Sequence, residues 1–364
     1  MPKPNQSDEI KNRKIEHIKI PLKYDVQHSE NYFKYIKLIH HSLPELDFNE
    51  INLSTKFFNK EISAPICISA ITGGHHISQE INIILASAAE AENIVMSVGS
   101  QRIGLEDPST EDTFNIVREA APSVSIIGNI GIGQVSNVNF NVEDFNKCIR
   151  MINADAMAIH FNALHELLQN KGNISYSNFY SNFQKIRKNI KIPIIAKEVG
   201  TGFNKEIAQK LDKIGFDGFD IGGGGGTSFA AIEFYRNNGY QEKYTRNPTE
   251  IFREWGIPTP ISILNLRQVT QKLIIATGGL RSGLDVAKSL VIGADLGGFA
   301  YNFLKSAWND YKENSISHTI KEIKTLKNEL RSCLWLMNVK DIENLKNQVN
   351  KRVFLGKLYQ WINQ

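Results

Sequence analysis

Short apolar runs alternate with longer segments of helical spacing through most of this chain. Each run is rich in β-branched or small residues, ends in a glycine or polar cluster, and is followed by a segment with the periodicity of a helix. Eight runs fit this description: residues 64–70, 94–98, 124–127, 156–160, 193–197, 217–221, 273–276 and 295–299. The pattern predicts a series of strand–helix units.

The spacing of the runs favours a closed barrel. Successive runs begin roughly 30 residues apart, the length of a βαβ unit, and one longer interval follows the sixth run. An open, doubly wound sheet could also hold eight strands, but it would concentrate special residues in one loop at its switch point. Here glycines or polar residues follow nearly every run. We therefore predict an α/β fold, a TIM (β/α)8 barrel, over residues 61–304.

Residues 1–60 are predicted to form an N-terminal extension, within which residues 47–60 look extended. Arg13, Lys14 and His17 place three cationic or potentially cationic groups together before the barrel. By itself such a cluster is usually solvated surface, but next to a barrel mouth it could meet an anionic ligand.

Residues 305–364 are predicted to form a C-terminal helical extension. The apolar periodicity of residues 305–337 predicts one long helix there, with Leu326, Leu330, Leu334 and Met337 in register.

Composition and charge narrow the class of protein. The chain has 41 % apolar and 22 % charged residues, and 42 Lys and Arg against 38 Asp and Glu leave a net charge of +4. There is no long basic block, so nucleic acid is not expected as a partner. No apolar run approaches the roughly 20 residues of a membrane helix, and no signal peptide is recognisable. Three scattered cysteines argue against a disulfide framework, so we expect a cytoplasmic protein.

Glycines mark a candidate phosphate site. They follow the sixth run at 222–226 and the seventh at 278–279, and Arg281 stands close to the second group. Active sites of TIM barrels are built from the residues after the strands, and glycine loops at helix N-termini let backbone N–H groups bind an anion. The alternative is that these glycines only close tight turns.

Polar residues also follow the fourth and fifth runs. Lys197 ends the fifth run, so its ammonium is expected in the barrel mouth, where it could hold the electron-rich edge of a flavin; the alternative is a lysine that reaches the solvated rim. His160 and Asn162 would share one side of the fourth strand, and Glu166 could be an oxygen ligand for Mg²⁺. The alternative for this segment is a polar turn without function.

Taken in order along the chain, these residues resemble the type 2 isopentenyl-diphosphate isomerases. The resemblance runs nearly from end to end, and its most specific part is Val98-Gly99-Ser100-Gln101-Arg102 with Leu105-Glu106-Asp107-Pro108. Further matching motifs are Arg13-Lys14-x-x-His17, Ser63-Ala64-Pro65, Ile71-Thr72-Gly73-Gly74, Asn129, His160-x-Asn162, Lys197-Glu198-Val199-Gly200, residues 223–228, Trp255-Gly256-Ile257-Pro258-Thr259 and Thr277-Gly278-Gly279-x-Arg281.

The resemblance implies an FMN-dependent isomerase of isoprenoid biosynthesis. Members of this family interconvert isopentenyl and dimethylallyl diphosphate by adding a proton to the terminal alkene carbon and removing one from the carbon next to that bearing the diphosphate. FMN acts in its reduced form without net electron transfer, NADPH serves only to reduce it, and Mg²⁺ accompanies the diphosphate. The same resemblance implies a homotetramer or homo-octamer.

The resemblance also assigns residues to ligands. FMN would be held by Ile71, Thr72, Gly73, Ser100, Asn129, Lys197, Thr227, Gly278, Gly279, Arg281, Ala300 and Tyr301. The prenyl diphosphate would be held by Arg13, Lys14, His17, Ser100, Arg102, His160 and Asn162, and Mg²⁺ by Glu166. The candidate catalytic residues are His160, Asn162 and His165.

One departure from the family pattern bears on the chemistry. Where the family carries a glutamine implicated in proton transfer, this chain has His165, and histidine exchanges a proton near neutral pH whereas glutamine barely titrates. Smaller departures are Lys171-Gly172-Asn173, Gly222, Gly224 and Tyr301-Asn302. The alternative function is therefore a reduced-FMN enzyme that acts on prenyl diphosphates with another outcome, such as cyclisation or coupling of two C5 units.

Two further classes share some of these features. A flavin oxidoreductase of the 2-hydroxy-acid oxidase kind would carry a catalytic histidine followed by glycines after the sixth or seventh strand, but residues 220–227 contain no histidine. A flavin or phosphate sensor without catalytic activity is the remaining alternative.

Overall fold

The computed structural model describes residues 6–169, 172–236 and 247–363. Eight parallel strands form a closed barrel, and each begins within one of the eight predicted runs. The third strand extends four residues beyond its run, and the fourth and fifth strands extend one residue beyond theirs. They are β1 (Ile66–Ile68), β2 (Val95–Ser97), β3 (Ile126–Gly131), β4 (Ala156–Phe161), β5 (Ile194–Glu198), β6 (Gly218–Asp220), β7 (Leu273–Ala276) and β8 (Leu296–Phe299). The barrel closes where β8 pairs with β1, with Gly297 opposite Ile66. The predicted TIM barrel is confirmed.

One long helix follows each strand. These helices are α1 (His76–Glu92), α2 (Asp112–Ala120), α3 (Val142–Ile152), α4 (Phe179–Asn189), α5 (Lys205–Ile214), α6 (Thr259–Arg267), α7 (Gly283–Val291) and α8 (Tyr301–Glu313). Their apolar faces and the outward side chains of the strands form the main core. Short helices lie in the loops, among them Arg102–Glu106, Ala163–Leu168, Phe229–Arg236 and Pro248–Ile251.

A hairpin closes the amino end of the barrel. Strands Thr55–Phe57 and Lys60–Ile62 pair antiparallel just before β1. Phe57 and Ile62 are buried, each 1 % exposed, in the same cluster as the inward residues of the strands. The segment 47–60, predicted as extended, thus contains one strand and the beginning of a second, preceded by the short 3-10 helix Phe48–Glu50.

The rest of the N-terminal extension spans the barrel. The N-terminal helix, Gln6–Lys23, lies at the carboxyl end of the strands and packs against the helix Phe229–Arg236. The chain then continues to the strand Ile36–Leu38, which pairs antiparallel with Arg352–Phe354 near the carboxyl terminus. The two extensions therefore contact each other.

The prediction of one long helix over residues 305–337 is wrong. Two helices are present, α8 and Ser317–Leu336, and the predicted boundary between residues 304 and 305 falls inside α8. Asn314 ends α8 in the left-handed region, with φ +51°, which asparagine tolerates better than most residues. The buried carboxylate of Asp310 then accepts hydrogen bonds from the amides of His318 and Thr319. The apolar periodicity persists because both helices pack on the same core.

Among the described residues, no helix combines the length and the apolar character needed to cross a bilayer.

Candidate active site

Most of the predicted site residues meet in one cavity at the carboxyl end of the barrel. Loops after the strands bound it, and the N-terminal helix covers one side. The predicted residues that line it are Arg13, Lys14, His17, Ile71, Ser100, Arg102, Asn129, His160, Asn162, His165, Glu166, Lys197, Thr227, Gly278, Gly279, Arg281, Ala300 and Tyr301. The closed barrel thus collects residues from most of the length of the chain.

Two residues predicted to bind the cofactor lie behind the cavity wall. Thr72 is buried, and its Oγ1 is 2.7 Å from Ser78 Oγ. Gly73 packs against the ring of Phe114, where an added Cβ would lie 2.1 Å from the ring. The nearby His75 caps α1 by accepting a hydrogen bond from the Ile77 amide. Lys171, one of the departures from the family pattern, lies outside the described residues.

The two glycine loops pack against each other, backbone to backbone. A Cβ at Gly226 would lie 2.6 Å from the amide nitrogen of Gly279. Gly278 has φ +97°, and a Cβ there would lie 2.1 Å from the carbonyl oxygen of Gly223. Side chains would force the loops apart, so close approach requires glycine. Within the described part of the chain, the cavity-lining amides of Gly279 and Leu280 donate to no protein acceptor, so they are available to an anion.

A residue that the sequence did not single out joins the loops. Gln27 accepts a hydrogen bond from Arg281 Nη2 (2.7 Å) and donates one to Thr227 Oγ1 (3.1 Å). Gln27 belongs to the N-terminal extension, 200 positions before Thr227 and 254 before Arg281, and no local signal in the sequence marks it. It orients two of the predicted FMN ligands.

Lys197 forms a buried ion pair at the base of the cavity. Its Nζ donates to Asp220 Oδ2 at 2.8 Å, and both side chains are only 7 % exposed. Asp220 also accepts a hydrogen bond from Thr277 Oγ1, which in turn accepts one from the amide of Gly222 (2.7 Å). The ammonium therefore has a fixed position in the mouth, as predicted, and sequence reasoning missed the carboxylate that holds it.

Two hydrogen bonds orient the residues at the end of β4. His160 Nδ1 lies 2.7 Å from Asn129 Oδ1. Burial and the nearby charges of Lys14 and Lys197 lower the pKa of His160 to about 3, so its imidazole is neutral at physiological pH. Asn162 donates from Nδ2 to Glu166 Oε1 at 2.9 Å.

The carboxylate of Glu166 is also fixed from its other side. Its Oε2 accepts a hydrogen bond from the amide of Asn173 at 2.6 Å. Both oxygens are thus held while the side chain lines the cavity, which is a suitable arrangement for an oxygen ligand of a hard cation.

His165 points to a buried glutamate, Glu233, rather than to solvent. His165 Nε2 lies 2.9 Å from Glu233 Oε1, and the Phe229 ring lies 4.3 Å away, centroid to centroid. Glu233 is fully buried and accepts hydrogen bonds from Arg236 on both oxygens. Burial alone would raise the pKa of Glu233, but the hydrogen bond with His165 and the Arg236 charge outweigh it and lower the pKa. Glu233 therefore carries a negative charge beside His165.

Three cations face the cavity from the N-terminal helix and the loop after β2. Arg13 donates to Gln169 Oε1 (2.6 Å), Lys14 to the carbonyl oxygen of Ser100 (3.3 Å) and Arg102 to Glu106 (2.7 Å). Burial and repulsion from the two arginines lower the pKa of Lys14 to about 7. Such crowding of positive charge is costly unless an anion is present.

Comparison with known proteins agrees with this geometry. A family model described as FMN-dependent dehydrogenase matches residues 22–113 and 149–352. A protein of Archaeoglobus fulgidus named isopentenyl-diphosphate delta-isomerase is 40 % identical over 352 residues, which cover 96 % of this chain and 98 % of the relative. One of Methanocaldococcus jannaschii with the same name is 38 % identical over 372 residues, covering 99 % of each.

Solved structures share the fold at low identity. A flavocytochrome b2 variant with sulfite bound has a TM-score of 0.62 at 20 % identity, covering 98 % of this chain and 85 % of that chain. Mandelate oxidase has a TM-score of 0.58 at 12 % identity, covering 86 % of each chain. These likenesses show the barrel alone.

Proposed function

Because the chain belongs to the FMN-dependent dehydrogenase family, and within it to the isopentenyl-diphosphate delta-isomerases, we propose that it interconverts isopentenyl and dimethylallyl diphosphate with FMN as its cofactor. One observation carries the proposal: two separate anion-binding features line a single cavity. One consists of the glycine loops with Arg281, and the other of Arg13, Lys14 and Arg102. A phosphate-bearing cofactor and a diphosphate substrate require such a pair of sites.

The residues present fit FMN. The amides of Gly279 and Leu280 and the guanidinium of Arg281 would bind the phosphate, because the loops expose N–H groups and leave no side chain in the way. Asn129 and Lys197 would hold the ring system from the floor of the barrel. When bound in its reduced form, FMN would supply an electron-rich ring that stabilises positive charge on the substrate.

The cations of the N-terminal helix would bind the diphosphate. Arg13 and Lys14 reach the cavity from that helix, and Arg102 reaches it from the loop after β2. Glu166 would hold Mg²⁺ against the diphosphate, since Asn162 and Asn173 already orient its carboxylate. His160, being neutral, can shape the substrate pocket without adding a further positive charge.

A residue on the apolar side of the cavity would exchange protons with the substrate. His165 lines it next to Phe229 and Ile232, which suit an isoprene chain. Glu233 orients the imidazole and stabilises a proton at Nε2. His165 thus occupies the place where the family resemblance expects a glutamine, with a group that can donate and accept a proton.

A direct assay tests the proposal. The FMN-loaded protein is reduced under anaerobic conditions, supplied with Mg²⁺ and isopentenyl diphosphate in D₂O, and its products are followed by NMR. Formation of deuterated dimethylallyl diphosphate is expected. Bound flavin with no dimethylallyl diphosphate would overturn the proposal.

The same assay separates the alternative function. Cyclised or coupled products would identify a diverged enzyme, and their replacement by simple isomerisation in His165→Gln would locate the divergence at that residue.

The proposed reductant, metal ion and oligomeric state are tested separately. NADPH should reduce the bound flavin. EDTA should abolish turnover, because it removes the Mg²⁺ that accompanies the diphosphate. Light scattering should give the mass of a tetramer or an octamer.

A further inference from the structure

Three ligand atoms from different elements converge beside the substrate cavity. His17 Nε2 comes from the N-terminal helix, His165 Nε2 from the helix Ala163–Leu168, and Glu233 Oε1 from the helix Phe229–Arg236. The three atoms lie within 4.8 Å of one another. Glu233 Oε1 is 2.9 Å from the His165 nitrogen and 3.6 Å from the His17 nitrogen.

The His17 imidazole carries a nitrogen whose hydrogen-bonding capacity is unused. Its Nε2 is buried and makes no hydrogen bond within the described part of the chain, and its distance to Glu233 exceeds hydrogen-bond length. In a neutral imidazole, the ring nitrogen without a proton has a lone pair available for a metal ion.

Two of the three separations, those from Glu233 to each histidine, match the distances between ligands of one small ion. For an ion about 2.0–2.1 Å from each atom, distances of 2.9 and 3.6 Å correspond to angles of roughly 90° and 120°. Two imidazoles and one carboxylate are a ligand set used by zinc, with remaining positions for water. Hard Mg²⁺ prefers oxygen ligands and has Glu166 nearby.

The positive charge of Arg236 lies next to the proposed ligand Glu233 and bears on whether a cation can bind there. Arg236 donates to both oxygens of Glu233 but is itself paired with Glu16, at 2.9 Å. In that position it resembles the outer hydrogen bonds that orient a ligating carboxylate. Binding of the ion would require the proton of His165 to sit on Nδ1, leaving Nε2 free.

We propose that His17, His165 and Glu233 form a binding site for a divalent transition-metal ion of the Zn²⁺ class, separate from the Mg²⁺ ligand Glu166. The site depends on His165, since the amide of a glutamine at this position would be a much weaker ligand. A bound ion would occupy both imidazoles on the apolar side of the cavity. Binding itself does not depend on the proposed isomerase activity; if that activity is confirmed, Zn²⁺ should inhibit it.

The test is calorimetric titration of the metal-free, FMN-loaded protein with Zn²⁺, followed by dialysis and elemental analysis. One Zn²⁺ per chain is expected. His165→Gln and Glu233→Gln should each lower the affinity by about a hundredfold or more. Bound FMN, read from its absorbance, shows whether each variant retains its fold.

Matched variants in the same cavity serve as controls. His160→Gln removes a buried imidazole that is not part of the cluster, and Glu166→Gln removes the proposed Mg²⁺ ligand; both should leave Zn²⁺ stoichiometry unchanged. Absence of stoichiometric binding to the unaltered protein, or full binding by His165→Gln with FMN bound, would overturn the inference. Neither result depends on turnover, so a failed isomerase assay remains a separate outcome.

Discussion

Lys197 and Asp220 occupy directly paired positions on β5 and β6, and their side chains form a buried ion pair with a separation of 2.8 Å. The strand register thus places an ammonium and its carboxylate side by side at the barrel mouth. Thr277, following β7, fixes the second carboxylate oxygen. Three neighbouring strands therefore determine the position of one positive charge.

Removing the carboxylate of this pair should destabilise the protein. Asp220→Asn leaves the Lys197 ammonium buried without a counter-charge, and such a change typically costs about 3–5 kcal/mol. Urea unfolding measures this loss of stability. The FMN concentration must be the same for both proteins, because bound ligand stabilises the folded state. Glu206→Gln, which breaks the exposed pair with Lys210, should leave the midpoint unchanged. Equal effects of the two variants would contradict the assignment.

Binding of the diphosphate should take up a proton at mildly alkaline pH. The pKa of Lys14 is lowered to about 7 in the free protein, so at about pH 8 the amine is largely neutral. An anion beside it raises that pKa, hence affinity falls as pH rises above 7. Calorimetry of isopentenyl diphosphate binding to the oxidised protein, in buffers of different ionisation enthalpy, counts the protons. Lys14→Arg should remove the uptake, and its persistence would point to another group.

Gln27 should contribute to FMN affinity without contacting the reacting atoms. Gln27→Ala removes hydrogen bonds to Arg281 and Thr227, each typically worth about 0.5–1.5 kcal/mol, so the FMN dissociation constant should rise by roughly fivefold or more. Flavin fluorescence measures it. Gln268→Ala, at an exposed contact with Lys205, is the matched control and should bind FMN normally. An unchanged dissociation constant in Gln27→Ala would show that the loops hold their shape alone.

Two glycines of the paired loops should respond differently to alanine. At Gly278 a Cβ would lie 2.1 Å from a carbonyl oxygen, and the backbone has φ +97°. Backbone strain of this kind costs about 1–3 kcal/mol, and the clash adds to it. Gly278→Ala should therefore lower the free energy of unfolding by at least this amount and abolish FMN retention. At Gly224 the nearest atom would lie 3.5 Å away. Gly224→Ala should retain FMN. Gel filtration followed by flavin absorbance checks both, and retention by Gly278→Ala would refute the close-packing argument.

The sequence predicts the barrel well because each strand–helix unit repeats the same local pattern. It also predicts that Lys197 and the glycine loops lie in the barrel mouth, since a position at or just after the carboxyl end of a strand is enough to place them there. The break at Asn314 is hidden because apolar periodicity continues on both sides of it. The left-handed Asn314 and the Asp310 side chain divide the helix, and neither changes the apolar pattern from which the helix was predicted.

The site residues that the sequence did not single out hold other site residues in position. Gln27, Asp220 and Glu233 act by holding Arg281, Lys197 and His165, and their relevance arises from contacts between distant positions. Thr72 shows the converse. The Thr72 motif is easily recognised in the sequence, yet the Thr72 hydroxyl forms a hydrogen bond with Ser78 behind the cavity wall. Sequence spacing does not indicate in which direction this side chain points.

The position of the N-terminal helix has a consequence for the order in which the molecule is built. Arg13, Lys14 and His17 are synthesised before any barrel strand, yet the cavity that they line is bounded by loops that follow strands from β1 to β8. The N-terminal helix also packs against α8, so it can complete its contacts only after the segment behind the last strand has been made. The complete cavity therefore requires the whole barrel sequence, from the first strand to the last.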